Sequence, residues 1–333
     1  MIIPQEKNSA YTKFAAIAMV KNECDIVELF IKINSRLFDC IYILDHLSDD
    51  STAEIVKKFQ ALGYPINYIL WPDNTFNQAM AITSVVRQVA NMDIFDYIIP
   101  LDADEFLASE NLSSPKELVG SLISKTDIGL IPWKTYCPVS DAFFNLTAPL
   151  YENFRMRKVE PQQYYKVILG NEFAKNCSVS EGNHIARSEK FVTNPVILPL
   201  ILQHVPVRSR EQIIRKSILG SYSLALKKNR TQGEGFHWDL MAKQIRDNNY
   251  EISQEEIFEL ALHYATSDNK SSVNEILSDA PRIGTEADSI EFMNLALINP
   301  LKSFDIYISN LVSRLNVANT SKDRQLTAPL NNS

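Results

Sequence analysis

Short blocks of consecutive apolar residues alternate with stretches in which apolar positions recur every three or four residues. The alternation persists through the first hundred residues. Residues 14–20 form an unbroken apolar run, the mark of a strand buried on both faces, and Ile26, Leu29, Phe30 and Ile33 follow at helical spacing. Residues 41–44 predict a second strand, 53–62 a helix with Ser51 or Thr52 as its cap and Gly63 as its stop, and 66–71 a third strand. A helix over 78–91 then leads to a strand over 97–101. Strand and helix alternating four times predict right-handed crossovers and an α/β fold, a mainly parallel sheet flanked by helices.

Beyond residue 110 the pattern is less regular. Ser113, Ser114 and Pro115 open a helix to 124, and 128–133 reads as a further strand. Trp133, Tyr136, Phe143, Phe144, Tyr151, Phe154, Tyr164 and Tyr165 then crowd a region without clear periodicity. Core packing accounts for most of them, and aromatic faces beside polar groups also suit sugar rings. Arg155, Arg157 and Lys158 are expected to face water. An apolar run over 196–205 contains His204, and from Ser253 the chain looks helical, with acidic residues in the first turn of the next helix. Residues 304–317 are amphipathic, and 319–333 are polar enough to be disordered. The expected organisation is a main domain over 1–245, divided into 1–110 and 111–245, a helical C-terminal region over 246–318, and a tail over 319–333.

With 333 residues and 45% hydrophobic content the chain can bury a large core. A net charge of −7 leaves no face-wide basic excess to displace counterions from nucleic acid, so no nucleic-acid partner is expected. Cys24, Cys40, Cys137 and Cys177 are too widely spaced for a zinc site or a disulfide framework and read as free thiols. No apolar stretch approaches the roughly 18 residues that span a bilayer, and residues 1–13 lack the pattern of a secretory signal. A cytoplasmic location is expected, with peripheral membrane contact left open.

The chemistry is concentrated where the early strands end, which is where such sheets bind ligands. Lys21, Asn22 and Glu23 follow the first strand, Asp45 and Ser48 the second, and Asp102, Asp104 and Glu105 the fourth. No G-x-G-x-x-G and no P-loop pattern is present, so side chains rather than a glycine loop would hold a ligand. Asp102 and Asp104 can turn toward one ion, and an oxygen-rich, thiol-free site suits Mg²⁺ or Mn²⁺ better than zinc. A solvated acidic turn is the plainer alternative, as a turn and helix cap is for Asp45 and Asp50.

These segments resemble a known family. Asp45-His46-Leu47-Ser48-Asp49-Asp50-Ser51-Thr52 has the register of the D-D-G-S-x-D-x-T segment of family 2 glycosyltransferases. Leu101-Asp102-Ala103-Asp104-Glu105-Phe106 is similar to the D-x-D-E-F form common among bacterial family-2-like enzymes, and Met19-Val20-Lys21-Asn22-Glu23 to their first-strand motif. The resemblance implies a GT-A fold and a nucleotide diphosphate sugar, UDP-sugar favoured, lying across the strand ends. Asn22, Glu23 and Asp45 would contact base or ribose. Asp104, assisted by Asp102, would hold Mn²⁺ or Mg²⁺, which stabilises the departing diphosphate. Arg87 could meet a phosphate or be a surface arginine. Bacterial polysaccharide assembly, with a glycan or lipid-linked acceptor, is the implied context.

The segment His204-Val205-Pro206-Val207-Arg208-Ser209-Arg210-Glu211-Gln212 resembles a block in bacterial relatives of the same family. Enzymes of this fold often complete metal coordination with a late-strand histidine, which makes His204 the third candidate ligand and His237 its substitute. Arg208, Arg210 and Lys216 would then contact the diphosphate. Two glycines in residues 231–235 suit a lid. An inverting transferase also needs a general base. The family often supplies it from an E-D pair, and no such pair occurs at the expected place, so Glu181 is the first candidate and Asp141 and Glu152 the others. A nucleotidyltransferase and a non-catalytic sugar-nucleotide binder are the competing readings.

Overall fold

The computed structural model describes residues 11–72, 77–109, 114–138, 150–192, 194–225, 235–265, 276–277, 283–285 and 288. The first half follows the apolar periodicity closely: β1 (Phe14–Val20), α1 (Val27–Asn34), β2 (Cys40–Asp45), α2 (Thr52–Ala61), β3 (Ile66–Leu70), α3 (Gln78–Ala90) and β4 (Tyr97–Leu101). These four strands form a parallel block in the order β3-β2-β1-β4. Six of the seven β1 residues are buried, as an unbroken apolar run in a central strand requires.

Past β4 the chain departs from simple alternation. It continues as β5 (Glu105–Ser109), α4 (Pro115–Leu122), β6 (Ile128–Cys137), the single turn α5 (Leu150–Asn153), β7 (Met156–Lys158), β8 (Tyr165–Gly170), α6 (Asn171–Ala174), β9 (Cys177–Val179) and β10 (Ala186–Ser188). The short β11 (Val196–Ile197), β12 (Leu200–His204), three helices α7 (Arg210–Ala225), α8 (Phe236–Asp247) and α9 (Gln254–Leu262), and β13 (Ile276–Leu277) complete the described elements. β8 inserts antiparallel between β4 and β6, and β7 and β13 extend the sheet antiparallel. The sheet is therefore mixed: parallel in the half that was legible from the strand-helix alternation, and largely antiparallel beyond β4. The whole is a mixed α/β architecture with helices packed on the sheet.

One hydrophobic core lies between the sheet and α1 with α2, built on Phe14, Phe30, Phe59 and Phe106. A second on the opposite face joins Ile17 and Leu44 to Ile82, Val86 and Phe173. A third packs Trp133 and Cys137 against Ile213, Met241, Ile245 and Leu260. Residues on both sides of position 245 share this third core, so the boundary expected there crosses continuous packing. The aromatic stretch also differs from expectation, because β6 runs on to Cys137 and carries Trp133 and Tyr136 on a strand.

Two local expectations are corrected, and one backbone position stands out. Thr52 does not cap α2 with its hydroxyl; Asp50 Oδ1 accepts from Thr52 N (2.9 Å), leaving Thr52 Oγ1 to accept from Glu23 N (2.8 Å). Lys158 does not face water: it is fully buried and donates to the carbonyls of Leu262 (3.3 Å) and Tyr264 (2.6 Å), tying β7 to the end of α9. Leu47, where the family pattern has glycine, sits at φ +55°, a left-handed conformation that costs roughly 1–2 kcal/mol in a non-glycine residue. Residues 304–317 and 319–333 lie outside the described residues.

Candidate active site

Register builds the site. β1 pairs with β2 and β4 so that Val20 lies opposite Asp45, and Ala18 opposite Leu101. The chain leaving β1 and the acidic segment leaving β4 consequently emerge side by side, on the two sides of the strand from which the sheet grows in both directions. That crevice is where open α/β sheets place ligands. β12, antiparallel to β5, sets His204 opposite Glu105, and Val205 N donates to Asp104 O (3.0 Å), fastening the late strand to the acidic motif. A cavity of about 480 Å³ opens here. Lys21, Asn22 and Glu23, Asp102 and Asp104, and His204 all line it.

Arg208 sits under this cavity, fully buried, and its guanidinium spends all five N–H donors on the protein. Nε donates to Asp25 (2.7 Å), Nη2 to Glu23 (2.6 Å) and Asp25 (3.2 Å), and Nη1 to Asp104 (3.3 Å) and the Val205 carbonyl (3.1 Å). The Lys216 ammonium, on α7, bridges Glu23 Oε1 and Asp104 Oδ2, each at 3.0 Å. Burial works against ionisation of Asp104, but Lys216 and Arg208 outweigh it and hold the carboxyl well below its ordinary range. Asp25 is likewise lowered against the cost of burial, chiefly by Arg208. Arg215 closes the group by donating to Asp50 (3.0 Å) and to the Asn22 carbonyl.

Asp102 is held by a different set. Lys166, buried on β8, lies 2.6 Å from Asp102 and 3.0 Å from Glu105, and Gln78 Nε2 donates to Asp102 Oδ1 (3.0 Å). One ammonium thus serves two carboxylates, and burial pushes the more enclosed one, Glu105, up to about 8. The fit to a divalent cation turns on Asp104 and His204. Arg208 and Lys216 both use Asp104 Oδ2, leaving Oδ1 facing His204 Nε2 at 3.6 Å. Burial lowers the His204 pKa well below its ordinary value, so the imidazole is neutral at pH 7, and its buried Nδ1 has no hydrogen-bond partner among the described residues. A carboxylate oxygen and a neutral imidazole nitrogen facing each other form a donor pair that Mn²⁺ accepts. Among the described residues no group of three such ligands converges, because Asp102 is turned to Lys166.

The other residues singled out in the sequence are dispersed. Asp45 is buried, accepting from Ser48 N (2.9 Å) and the Tyr68 hydroxyl (2.8 Å), while Ser48 Oγ accepts from Asn22 N (3.0 Å). These two shape the turn that supports residues 21–23. Arg87 donates to the Cys177 carbonyl (2.7 Å), and Arg210 is exposed and donates to the Tyr250 carbonyl (3.3 Å). Neither lines the cavity, and Arg208 has no donor left for a phosphate. Glu181 does line it, in a 3-10 turn after β9. Asp141, residues 231–234 and the side chain of His237 lie outside the described residues.

Sequence reasoning missed Lys166, Gln78, His46, Tyr264 and Trp238, all on the cavity wall. Lys166 interrupts an otherwise apolar strand, which was its one available signal. Trp133 carries His204 edge-on at 4.2 Å and His184 stacked at 5.7 Å, with Tyr264 at 5.4 Å from His204. Tyr264 comes from beyond residue 245, so the wall draws on the region expected to be separate.

Several solved structures match over part of this chain. S. aureus TarS matches at 13% identity and TM-score 0.36 over 73% of this chain, which spans 44% of that longer one. A structure of its residues 1–349 in complex with UDP matches at 15% identity and TM-score 0.34, covering 75% of each chain. The mannosyltransferase PcManGT from Pyrobaculum calidifontis, in complex with GDP-Man and Mn²⁺, matches at 15% identity and TM-score 0.34 over 77% of this chain and 71% of that one. No curated protein matches. The family model described as Glycosyl transferase family 2 matches residues 16–162, a stretch that runs from within β1 to just beyond β7 and includes the acidic motif.

Proposed function

We propose that the chain transfers a sugar from a nucleotide diphosphate sugar to a hydroxyl of a glycan or lipid-linked acceptor, with inversion at the anomeric carbon. The observation that carries the reading is the convergence of residues 21–23, Asp102, Asp104 and Lys216 on one cavity at the carboxyl ends of β1 and β4. Asp102, oriented by Lys166 and Gln78, is suited to a ribose hydroxyl. Lys216, on the cavity wall and already bridging two carboxylates, is suited to a diphosphate oxygen. Asp104 and His204 would hold Mn²⁺ or Mg²⁺, which when bound supplies positive charge against the leaving diphosphate. The aromatic wall of Trp133, Tyr164 and Tyr264 then excludes water from the sugar.

UDP is the favoured nucleotide, the cytoplasm the compartment and polysaccharide assembly the context. Among the described residues no helix is long and apolar enough to cross a membrane. The test is calorimetric titration of the full chain with UDP, GDP and CMP, with and without Mn²⁺, followed by transfer or donor hydrolysis. Binding of a nucleoside diphosphate that strengthens with Mn²⁺, and loses that strengthening in Asp104→Asn, supports the reading. Nucleoside triphosphate consumption with pyrophosphate release would instead make it a nucleotidyltransferase.

A further inference from the structure

The general base is the missing part of this site. The cavity-lining carboxylates Glu23, Asp102 and Asp104 are each committed to an ammonium or guanidinium, and His204 faces Asp104, whereas the turn after β9 brings Glu181 and His184 to the wall. That turn has an unusual backbone. Gly182 (φ +70°) and Asn183 (φ +60°) are consecutive left-handed residues, and Gly182 N donates to Gln78 Oε1 (3.2 Å). Gln78 in turn donates to Asp102, so one side chain fastens the turn to the acidic motif. The reversal folds the His184 ring back onto Trp133, nearly parallel at 21°, with Tyr164 on its flank at 5.6 Å.

His184 Nδ1 lies 2.8 Å from the Tyr165 carbonyl. A carbonyl only accepts, so Nδ1 carries the proton and Nε2 carries the lone pair. The space beside Nε2 is kept by the absence of a side chain at residue 182, where a Cβ would stand 2.7 Å from it. Resting on the transferase reading above, we infer that Nε2 of His184 is the general base that deprotonates the acceptor hydroxyl. This arrangement has the logic of an activated base: one nitrogen anchored by a fixed acceptor, the other carrying a lone pair on a ring that lines the cavity.

In the step, the acceptor O–H proton passes to Nε2 while an oxygen lone pair forms the bond to the anomeric carbon. The bond from that carbon to the phosphate oxygen breaks, and its electron pair leaves with the nucleoside diphosphate. The imidazolium keeps its Nδ1–H bond to Tyr165 and releases the new proton to solvent. Burial and the positive charge of Lys166 lower the imidazole against the opposing pulls of the Tyr165 carbonyl and Asp102, so it waits in the neutral form. Glu181, in the same turn, is the carboxylate that competes for the role.

The decisive variant is His184→Asn, whose amide can still donate to Tyr165 but offers no nitrogen at the Nε2 position. Expected is a kcat at least a hundredfold lower, with nucleotide diphosphate affinity within about threefold of wild type. His184→Ala should behave alike and regain part of its rate with added imidazole, a rescue that a packing role would not show. A kcat for His184→Asn within about fivefold of wild type overturns the inference, as does abolition of transfer by Glu181→Gln when His184→Asn stays active. If wild type neither binds a nucleoside diphosphate nor turns over, the transferase reading itself fails and takes this inference with it.

Discussion

Replacing Arg208 with methionine preserves volume and removes a buried charge that three carboxylates share. Glu23 and Asp104 would then keep Lys216 as a direct partner, while Asp25 would lose both of its guanidinium bonds. Breaking a buried ion pair from one side costs about 3–5 kcal/mol. A second route leads to a similar figure. The variant can relieve the excess charge by keeping one carboxyl protonated, and at pH 7 that costs about 1.4 kcal/mol for each pH unit above an ordinary carboxyl value near 4, or roughly 4 kcal/mol. At pH 5 the same protonation costs only about 1.4 kcal/mol. The destabilisation should therefore shrink by more than half between pH 7 and pH 5. Urea unfolding of both proteins at the two pH values, followed by circular dichroism, measures it, with m expected to be unchanged. A loss below about 1 kcal/mol at pH 7 would refute the reasoning, and so would a loss independent of pH. Selective loss of nucleotide affinity at full stability would return Arg208 to the diphosphate contact that the sequence suggested.

Glu105 gives a complementary pH test. Its carboxyl titrates near 4.5 when unfolded and about 8 when folded, so the native state binds the extra proton between those values and stability falls as pH rises through them. Glu105→Gln should flatten the decline in urea midpoint between pH 5 and 9; a slope equal to wild type would show that Glu105 is ionised throughout. Gly170→Ala tests packing at the β8–α6 corner, where a Cβ would stand 2.4 Å from the Lys125 carbonyl oxygen and 2.6 Å from that of Ser124. Backbone cannot rotate away as a side chain can, so a loss of about 1–3 kcal/mol is expected, and an unchanged melting temperature would contradict it.

The sequence by itself determined the parallel block and the carboxyl ends at which the site lies. Each apolar run there is short, uninterrupted and followed by an amphipathic segment, so local periodicity is enough to order β1 to β4 and to expose residues 21–23, 45–48 and 102–105 as strand-end chemistry. What only the tertiary structure decided are the partnerships. Arg208 and Arg210 are two residues apart in one basic run, yet the first is buried in a cage of carboxylates and the second lies exposed. Lys166 reaches Asp102, and His204 reaches Asp104, through β8 and β12 inserting into the sheet from far along the chain. Periodicity reports which face of an element is buried, whereas the neighbour a charged side chain meets is set by antiparallel register between distant strands, and no local pattern encodes it.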